Sequence, residues 1–302
     1  MSQHVSRSVA LLTAVAMVCF AGNSLLCRVA LRGGSIDPSS FAAVRFGSAA
    51  LVMWLLARLG GPDREHGGSW ASAAALFLYA ITFSLAYLRI GAGLGALLLF
   101  GAVQLTMVGW GLVRGERPGA GEWIGLALAL AGLLYLTQPG VSDAPWGGVA
   151  LMVLAGIGWG IYSLRGRGSR DPLRTTAANV VRMVPMLVLL VAVSLLVERP
   201  HLSGPGVTAA VFSGAVTSGL GYMIWYRALA GLTAVQAASV QLSVPVIAAA
   251  GGVVFLGEVL TLRLVAAAVL ILGGIALAIV QHARSASQPL RSSTAAKKPS
   301  IP

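Results

Sequence analysis

Two segments of similar design are central to the fold: AAVRFG at residues 42–47 and NVVRMVP at residues 179–185. Each places one arginine, Arg45 or Arg182, early in a long apolar stretch, and each arginine directly follows a valine. A cation in such a stretch has a different meaning in water and in lipid, so the solvent around the chain has to be established first.

The composition indicates that this solvent is a lipid bilayer. Hydrophobic residues make up 57% of the 302 residues and charged residues 10%, and the mean hydropathy is +0.84. The charges fall between apolar stretches of about 20 residues, the length that crosses a hydrocarbon core as a helix. We therefore predict an all-α integral membrane protein with ten transmembrane helices, at 8–29, 40–59, 70–88, 92–113, 120–137, 146–165, 175–196, 206–226, 232–256 and 263–281.

The distribution of basic residues predicts the orientation, because short cytoplasmic loops carry the excess of Lys and Arg. With the N-terminus inside, fourteen basic residues lie on the inner side and five on the outer side. We expect an uncleaved first helix, cytoplasmic N- and C-termini and a location in the inner (cytoplasmic) membrane. The segment 282–302 is basic and rich in Ser, Ala and Pro, which predicts a disordered cytoplasmic tail.

A repeat at a fixed offset divides the chain into two parts. Gly115-Glu116 ends the fourth predicted helix and Gly257-Glu258 ends the ninth, 142 residues later. We assign a first repeat to 1–138 and a second to 146–281, with five helices each. Because five is odd, the second repeat enters the membrane from the opposite side, and inverted repeats of this kind are typical of secondary transporters.

The repeat makes Arg45 and Arg182 equivalent residues and leaves two roles open for them. In a structural role the guanidinium snorkels toward the membrane surface or binds carbonyls of a neighbouring helix. In a functional role it takes part in gating or attracts the substrate.

The chain resembles the EamA-type branch of the drug/metabolite transporter superfamily over nearly all of residues 8–281. The resemblance is carried by the ten predicted helices in two halves, the early arginines, the two Gly-Glu pairs, Gly158-Trp159-Gly160 in the sixth helix and Val244-Pro245-Val246 in the ninth. It implies a ten-helix fold whose central cavity is lined by the first, third, fourth, sixth, eighth and ninth helices. It also implies export or exchange of metabolites or amphiphilic compounds.

The chain departs from that family pattern at two places. Phe20-Ala21-Gly22-Asn23 stands where the family often has Trp-Gly, and Val103-Gln104 stands opposite Pro245-Val246. The fourth helix therefore lacks the proline of the ninth, and Gln104 becomes a candidate for individual selectivity. Pro245 removes a helical hydrogen bond, so it predicts a kink that lines the cavity or acts as a hinge.

Polar and aromatic side chains inside the predicted helices are the candidates for the site. Buried amides need hydrogen-bond partners that a hydrated cavity supplies, and aromatic rings offer apolar faces with polar tips. The alternative for each is ordinary packing between helices. The candidate substrate-binding residues are Asn23, Gln104, Trp159, Tyr162, Tyr222 and Gln241, and the candidate gating or structural residues are Arg45, Arg182, Pro245, Glu116 and Glu258.

Several classes of function lack their usual residues. Both lysines lie in the tail, so no phosphate-binding loop with its lysine can form. The four histidines fall outside the predicted helices, and no nucleophile with a base is visible, so we expect no enzyme, no cofactor and no metal. The basic residues are scattered, which argues against nucleic acid.

The sequence thus predicts a secondary transporter that moves small organic metabolites or drug-like compounds by alternating access of its two halves. Any dependence on protons is expected to act through Glu116 or Glu258, since no acid lies mid-helix. A lipid-handling protein and a non-transporting membrane scaffold remain the alternatives. The expected partners are the substrate, membrane lipids and, as an open alternative, a second copy in a homodimer.

Overall fold

The computed structural model describes residues 7–32, 34–59, 67–87, 89–90, 92–137, 145–197 and 200–287. These residues form ten helices, which confirms the predicted fold class. The helices are α1 (Arg7–Arg32), α2 (Pro38–Leu59), α3 (Trp70–Tyr87), α4 (Ala92–Val113), α5 (Ala120–Thr137), α6 (Trp146–Gly166), α7 (Pro172–Val197), α8 (Gly204–Leu229), α9 (Ala234–Leu256) and α10 (Leu262–Ser287).

Most of these helices are long and apolar enough to cross a bilayer. Within the described residues nine meet that requirement, and α3 contributes a shorter apolar stretch, Trp70–Ala86. The predicted helix ends agree with the structure to within a few residues, with α10 as the largest departure. It continues to Ser287, so the first residues of the predicted tail are helical, and the remaining tail, 288–302, lies outside the described residues.

Two helices are irregular inside the membrane. In α8 a π-helical segment, Ser213–Leu220, separates the α-helical parts Gly204–Phe212 and Gly221–Leu229. In α9 the helix is interrupted at Leu242, three residues before Pro245. Pro245 has no N–H for the carbonyl four residues earlier, which explains the interruption and agrees with the predicted kink.

The duplicated Gly-Glu pairs are helix C-terminal caps. Gly115 and Gly257 have φ values of 87° and 66°, a left-handed conformation that favours glycine. The N–H of Glu116 donates to the carbonyl of Gly111 (2.9 Å), and that of Glu258 donates to the carbonyl of Gly252 (3.1 Å). The same sequence motif therefore ends both α4 and α9 with a left-handed glycine, although the hydrogen bond spans five residues after α4 and six after α9.

The packing of α5 against α10 shows the inverted repeat directly. The backbones meet where Gly125 lies against Gly274 and where Gly132 lies against Ala267. Adding the offset of 142 to Gly125 and Gly132 gives 267 and 274, so each contact maps onto the other when the two halves are exchanged. Such a self-complementary interface requires a two-fold axis between the halves.

The central helices form two bundles that each combine both halves. Helix α6 packs against α3 and α4, and the equivalent helix α1 packs against α8 and α9. The two bundles meet between α4 and α9, while the pairs α2–α7 and α5–α10 lie beside them. The packed units are thus the α3–α4–α6 bundle and the α1–α8–α9 bundle, and not the two sequence halves.

Candidate functional site

A cavity of about 450 Å³ lies between the two bundles. Its walls come from α1, α3, α4, α6, α8 and α9, the six helices that the family resemblance implied, and from the end of α5. It extends from Trp159 and Gln241 in the middle of the molecule to Arg28 and Ile90, near the end of α1 and the start of α4. It therefore approaches the face of the bundle opposite to the one at which α1 begins.

Aromatic rings form the deep end of the cavity. The ring centroid of Trp159 lies 5.0 Å from that of Tyr222, 5.1 Å from that of Phe20 and 5.2 Å from that of Tyr79. The Phe20 and Trp159 rings are perpendicular, an edge-to-face geometry that aromatic pairs favour. This end of the cavity presents a rigid apolar surface that suits a ring or an alkyl chain.

Two of the predicted amides reach the cavity, and both are fixed by hydrogen bonds. Asn23 accepts from the hydroxyl of Ser213 (2.6 Å) through Oδ1. Gln241 accepts from the indole N–H of Trp159 (2.6 Å) through Oε1 and donates to the carbonyl of Ala237 (2.9 Å). Because their partners hold them, these amides have defined orientations in the cavity wall.

Two other predicted binding residues lie behind the wall. Gln104 is buried between α4 and α9, where its Nε2 donates to the carbonyl of Ala238 (2.7 Å) and its Oε1 has no partner within the described residues. Tyr162 is fully buried beneath Trp159 and Tyr222. The cavity lining includes neither residue, so the geometry gives no support to a direct contact with substrate.

The equivalent arginines have different surroundings. Arg182 is partly exposed and donates to the carbonyls of Ala178 (3.1 Å) and Gly67 (3.4 Å), as expected for a residue that ties down neighbouring backbone. Arg45 is 2% exposed and donates to the hydroxyls of Ser218 and Tyr222, each at 2.8 Å. The two equivalent arginines thus have unlike partners, backbone carbonyls for Arg182 and side-chain hydroxyls for Arg45.

At the face of the bundle opposite to the one that the cavity approaches, α4, α6 and α9 are joined by a group that we call the Glu116 cluster: Glu116, Arg167, Leu232, Ala234 and Val235. Glu116 accepts from Arg167 (3.3 Å) and from the backbone N–H groups of Ala234 (2.9 Å) and Val235 (3.3 Å). Arg167 also donates to the carbonyl of Leu232 (3.0 Å). A carboxylate at a helix N-terminus is electrostatically favourable, so this cluster holds the start of α9 against α4 and α6.

The other glutamate of the repeat forms an equivalent ion pair at the opposite face. Arg28 donates to Glu258 across 2.8 Å, joining the ends of α1 and α9 as Arg167 and Glu116 join those of α6 and α4. Arg28 also lines the cavity. Neither arginine was predicted as a site residue. Each lies near the C-terminal end of the first helix of its half, so a comparison of the two halves would have paired them.

The aromatic residue Tyr79 and the polar Thr137 also line the cavity and were not predicted. Tyr79 sits in an apolar run with no sequence signal that separates it from packing residues. Thr137 is the last residue of α5, a helix that the resemblance did not place at the cavity.

Comparison with known proteins identifies the family. The model of the EamA-like transporter family matches twice, at residues 7–138 and 146–280. The chain belongs to this family. The two matches coincide closely with the two predicted repeats, and together with the apolar helices they make the protein a multi-pass membrane transporter.

Relatives include one protein without a functional name and two that are named for transport. An uncharacterized protein of Pseudomonas aeruginosa is 52% identical over 272 residues, which is 90% of this chain and 94% of that one. An uncharacterized transporter of Bacillus subtilis is 27% identical, covering 77% of this chain and 81% of its own. A probable amino-acid metabolite efflux pump of Salmonella typhimurium is 28% identical, covering 61% and 66%.

A solved crystal structure matches the fold with a TM-score of 0.73. The sequences are 20% identical, and the match covers 89% of this chain and 99% of the other. At this identity the likeness concerns the fold alone.

Proposed function

We propose that the protein is a secondary carrier that moves small organic molecules out of the cell by alternating access. The observation that carries this proposal is the cavity, which lies between two packed bundles and reaches toward one face, while the Glu116 cluster joins the two bundles at the other face. A scaffold needs no such one-sided chamber.

The orientation follows from the basic residues. If the face with fourteen Lys and Arg residues is cytoplasmic, α1 begins in the cytoplasm and both termini lie there. The cavity then approaches the outer face of the inner membrane, and the Glu116 cluster closes the cytoplasmic side. This is the state in which an exporter releases its substrate.

The moving units in this proposal are the two bundles. Release of Glu116 from the start of α9 would let the α1–α8–α9 bundle separate from the α3–α4–α6 bundle at the cytoplasmic face. By the two-fold relation, the end of α9 would approach the start of α4 at the outer face. The Glu258–Arg28 pair lies there and would make the equivalent closure to the start of α4.

The cavity limits the substrate to small molecules. A volume of about 450 Å³ lies in the range of pockets for compounds of drug or metabolite size. The aromatic end favours apolar groups, and Asn23 and Gln241 provide polar contacts. Relatives named as a transporter and an efflux pump support transport and export without fixing the substrate.

A pair of adjacent alanines allows a sharp test of the cavity. Ala249 lines the cavity, whereas Ala250 is exposed on the outside of α9. In proteoliposomes loaded with a mixture of labelled amino acids, nucleosides and aromatic acids, the wild type should exchange at least one compound. Ala249→Trp should abolish that exchange, and Ala250→Trp should retain it.

The same preparation can contradict the proposal. Exchange that survives Ala249→Trp would place the pathway elsewhere. No exchange of any compound, together with rapid movement of a fluorescent phospholipid between leaflets, would favour the lipid-handling alternative.

A further inference from the structure

Arg45 is a buried cation whose partners are all neutral. Its guanidinium binds the hydroxyls of Ser218 and Tyr222 and lies 4.6 Å from the ring centroid of Phe46. Within the described part of the chain no carboxylate contacts it. Hydroxyls satisfy its hydrogen bonds but leave its charge uncompensated, which is costly in a membrane interior.

The cavity wall therefore carries net positive charge. Among the described residues that line the cavity there is no Asp or Glu, and the one cation among them, Arg28, is paired with Glu258. Arg45 lies directly behind this wall, and its field is weakly screened because the surroundings are apolar. A ligand with a negative group would supply the missing countercharge.

Tyr222 connects the charge of Arg45 to the cavity. Its ring lines the cavity, and its oxygen accepts the hydrogen bond from Arg45 Nη2. A phenol that accepts a hydrogen bond keeps its own O–H, which here has Ser218 as a neighbouring partner and can turn from it to an acceptor in the cavity. Donation to an anion is strengthened when the oxygen is polarised by a cation. An anionic oxygen in the cavity is the acceptor that such a donor favours most.

The π-helical segment of α8 points independently to this part of the wall. It brings Ser213 to Asn23, which lines the cavity, and Ser218 to Arg45, which lies behind the cavity wall. One irregular segment thus positions both groups. Gly214 lies so close to the carbonyl of Arg45 that a Cβ there would collide with it. Segments of π-helix are rare, and they are found frequently at functional sites.

We infer that the cavity selects organic carboxylates with an apolar body, with Tyr222 as the direct donor and Arg45 as the positioning residue behind it. The inference rests on the proposed transport function and deepens it by naming the substrate class. The apolar body would lie on Phe20 and Trp159, and the carboxylate would lie next to Tyr222. Arg182, bound to backbone carbonyls near its own end of the bundle, has no part in this selection.

Matched acids and amides test this inference on the full-length protein in lipid nanodiscs. The probes are phenylacetate, indole-3-acetate and hexanoate, each with its primary amide, and phenethylamine as a cation of similar size. Titration calorimetry on the wild type should show at least one acid binding about tenfold more tightly than its amide, since hydrogen bonds to charged groups are the stronger ones.

Two tyrosines one turn apart provide the variant and its control. Tyr222→Phe removes the donor and keeps the ring, so the acid-to-amide ratio should fall to about one. Tyr226→Phe removes a hydroxyl that donates to the carbonyl of Tyr162, away from the cavity, and should keep the ratio. Arg45→Gln should lower the ratio and Arg45→Lys should restore part of it, which a purely structural role would not produce.

Each outcome decides the question. The inference is overturned if the wild type binds no acid more tightly than its amide, if it prefers phenethylamine, or if Tyr222→Phe keeps the preference. Transport of neutral or cationic compounds without acid preference would remove this inference and leave the carrier function standing. Acid preference without flux of any compound would support the selectivity for acids and contradict the carrier function.

Discussion

At the residue scale, Arg45 shows how a symmetric sequence is used asymmetrically. The positions of Arg45 and Arg182 could be predicted from the repeat, because a charge in an apolar stretch is conspicuous. Their surroundings could not, because these depend on the hydroxyls that α8 brings to Arg45 and on the carbonyl of Gly67, before α3, that reaches Arg182. The π-helical segment that delivers Ser218 has no signature in its sequence, SGAVTSGL.

A stability measurement can show whether Arg45 is retained for function. Replacing a buried charge together with its polar partners by apolar groups of similar volume is often neutral or stabilising, by roughly 1–4 kcal/mol. The triple change Arg45→Met, Ser218→Ala and Tyr222→Phe should therefore leave the melting temperature in detergent unchanged or raise it. It should also remove acid binding.

Arg45→Met alone should lower the melting temperature, because the Ser218 and Tyr222 hydroxyls lose their donor; a buried polar group left unpaired costs about 1–3 kcal/mol. A triple variant less stable than this single variant would show that Arg45 is primarily structural.

At the element scale, the α5–α10 pair depends on the absence of side chains at the crossing. Gly274 lies against the backbone of α5 at Gly125 and Ala129, whereas its neighbour Gly273 has open space around it. The offset of 142 pairs Gly274 with Gly132, but it does not show which residues face them, since a helix presents different faces to lipid and to protein.

Gly274→Leu should thus separate the two helices and destabilise the protein by about 3 kcal/mol or more, through overpacking against backbone that cannot move aside. Gly273→Leu is the control, with an expected change below about 0.5 kcal/mol. Thermal unfolding in one detergent measures both. Equal effects of the two substitutions would mean that the α5–α10 contact described above is absent in the membrane.

Another element, the connection before α2, has a predicted pH dependence. The Asp37 carboxylate accepts from the backbone N–H groups of Ser40 (2.9 Å) and His201 (3.0 Å), so it caps α2 and ties it to the segment before α8. Partial burial raises the pKa of Asp37, but these hydrogen bonds together lower it below the ordinary value. A lowered pKa means that the folded state favours the charged form.

The stability from the Asp37 charge is then fully present above the unfolded-state pKa of about 3.9 and is lost as the pH falls through the lower folded-state pKa. Asp37→Asn keeps a capping oxygen and removes the charge. The difference in melting temperature between wild type and Asp37→Asn should be largest at pH 6 and shrink as the pH is lowered below about 4. A difference that stays constant over this range would assign the effect to something other than ionisation.

At the scale of the whole molecule, most of the architecture was predictable from the sequence and the state of the cavity was not. Helix number, helix ends and the inverted repeat follow from apolar length and from the offset of 142, which are local or periodic features. The face that the cavity approaches is not such a feature, and neither is the contact of Glu116 with the start of α9, 118 residues away in sequence. The assignment of helices to bundles also needed the structure, since it cuts across both halves.

The Glu116 cluster should set the balance between the two open states. A cysteine at position 249, in a variant with Cys19 and Cys27 replaced by alanine, reports on the cavity. With Glu116 intact, a membrane-impermeant maleimide should label it mainly from outside sealed cells. Glu116→Ala removes an ion pair and two caps on α9, so labelling from inside, measured in inverted vesicles, should rise by about tenfold, equivalent to 1.4 kcal/mol.

Glu258→Ala, at the other face, serves as the matched control and should not increase labelling from inside. If both substitutions have the same effect, Glu116 does not govern closure of the cytoplasmic side.

The interleaved bundles carry an implication for ancestry. Each bundle takes one or two helices from each repeat, so a lone five-helix unit could not build even one of them. An ancestral product of half this length would have needed a twin inserted upside down in the same membrane. Fusion of both units in one gene produces the two orientations in equal amounts. It also allows each unit to diverge in sequence, and the different neighbours of Arg45 and Arg182 are an example of such divergence.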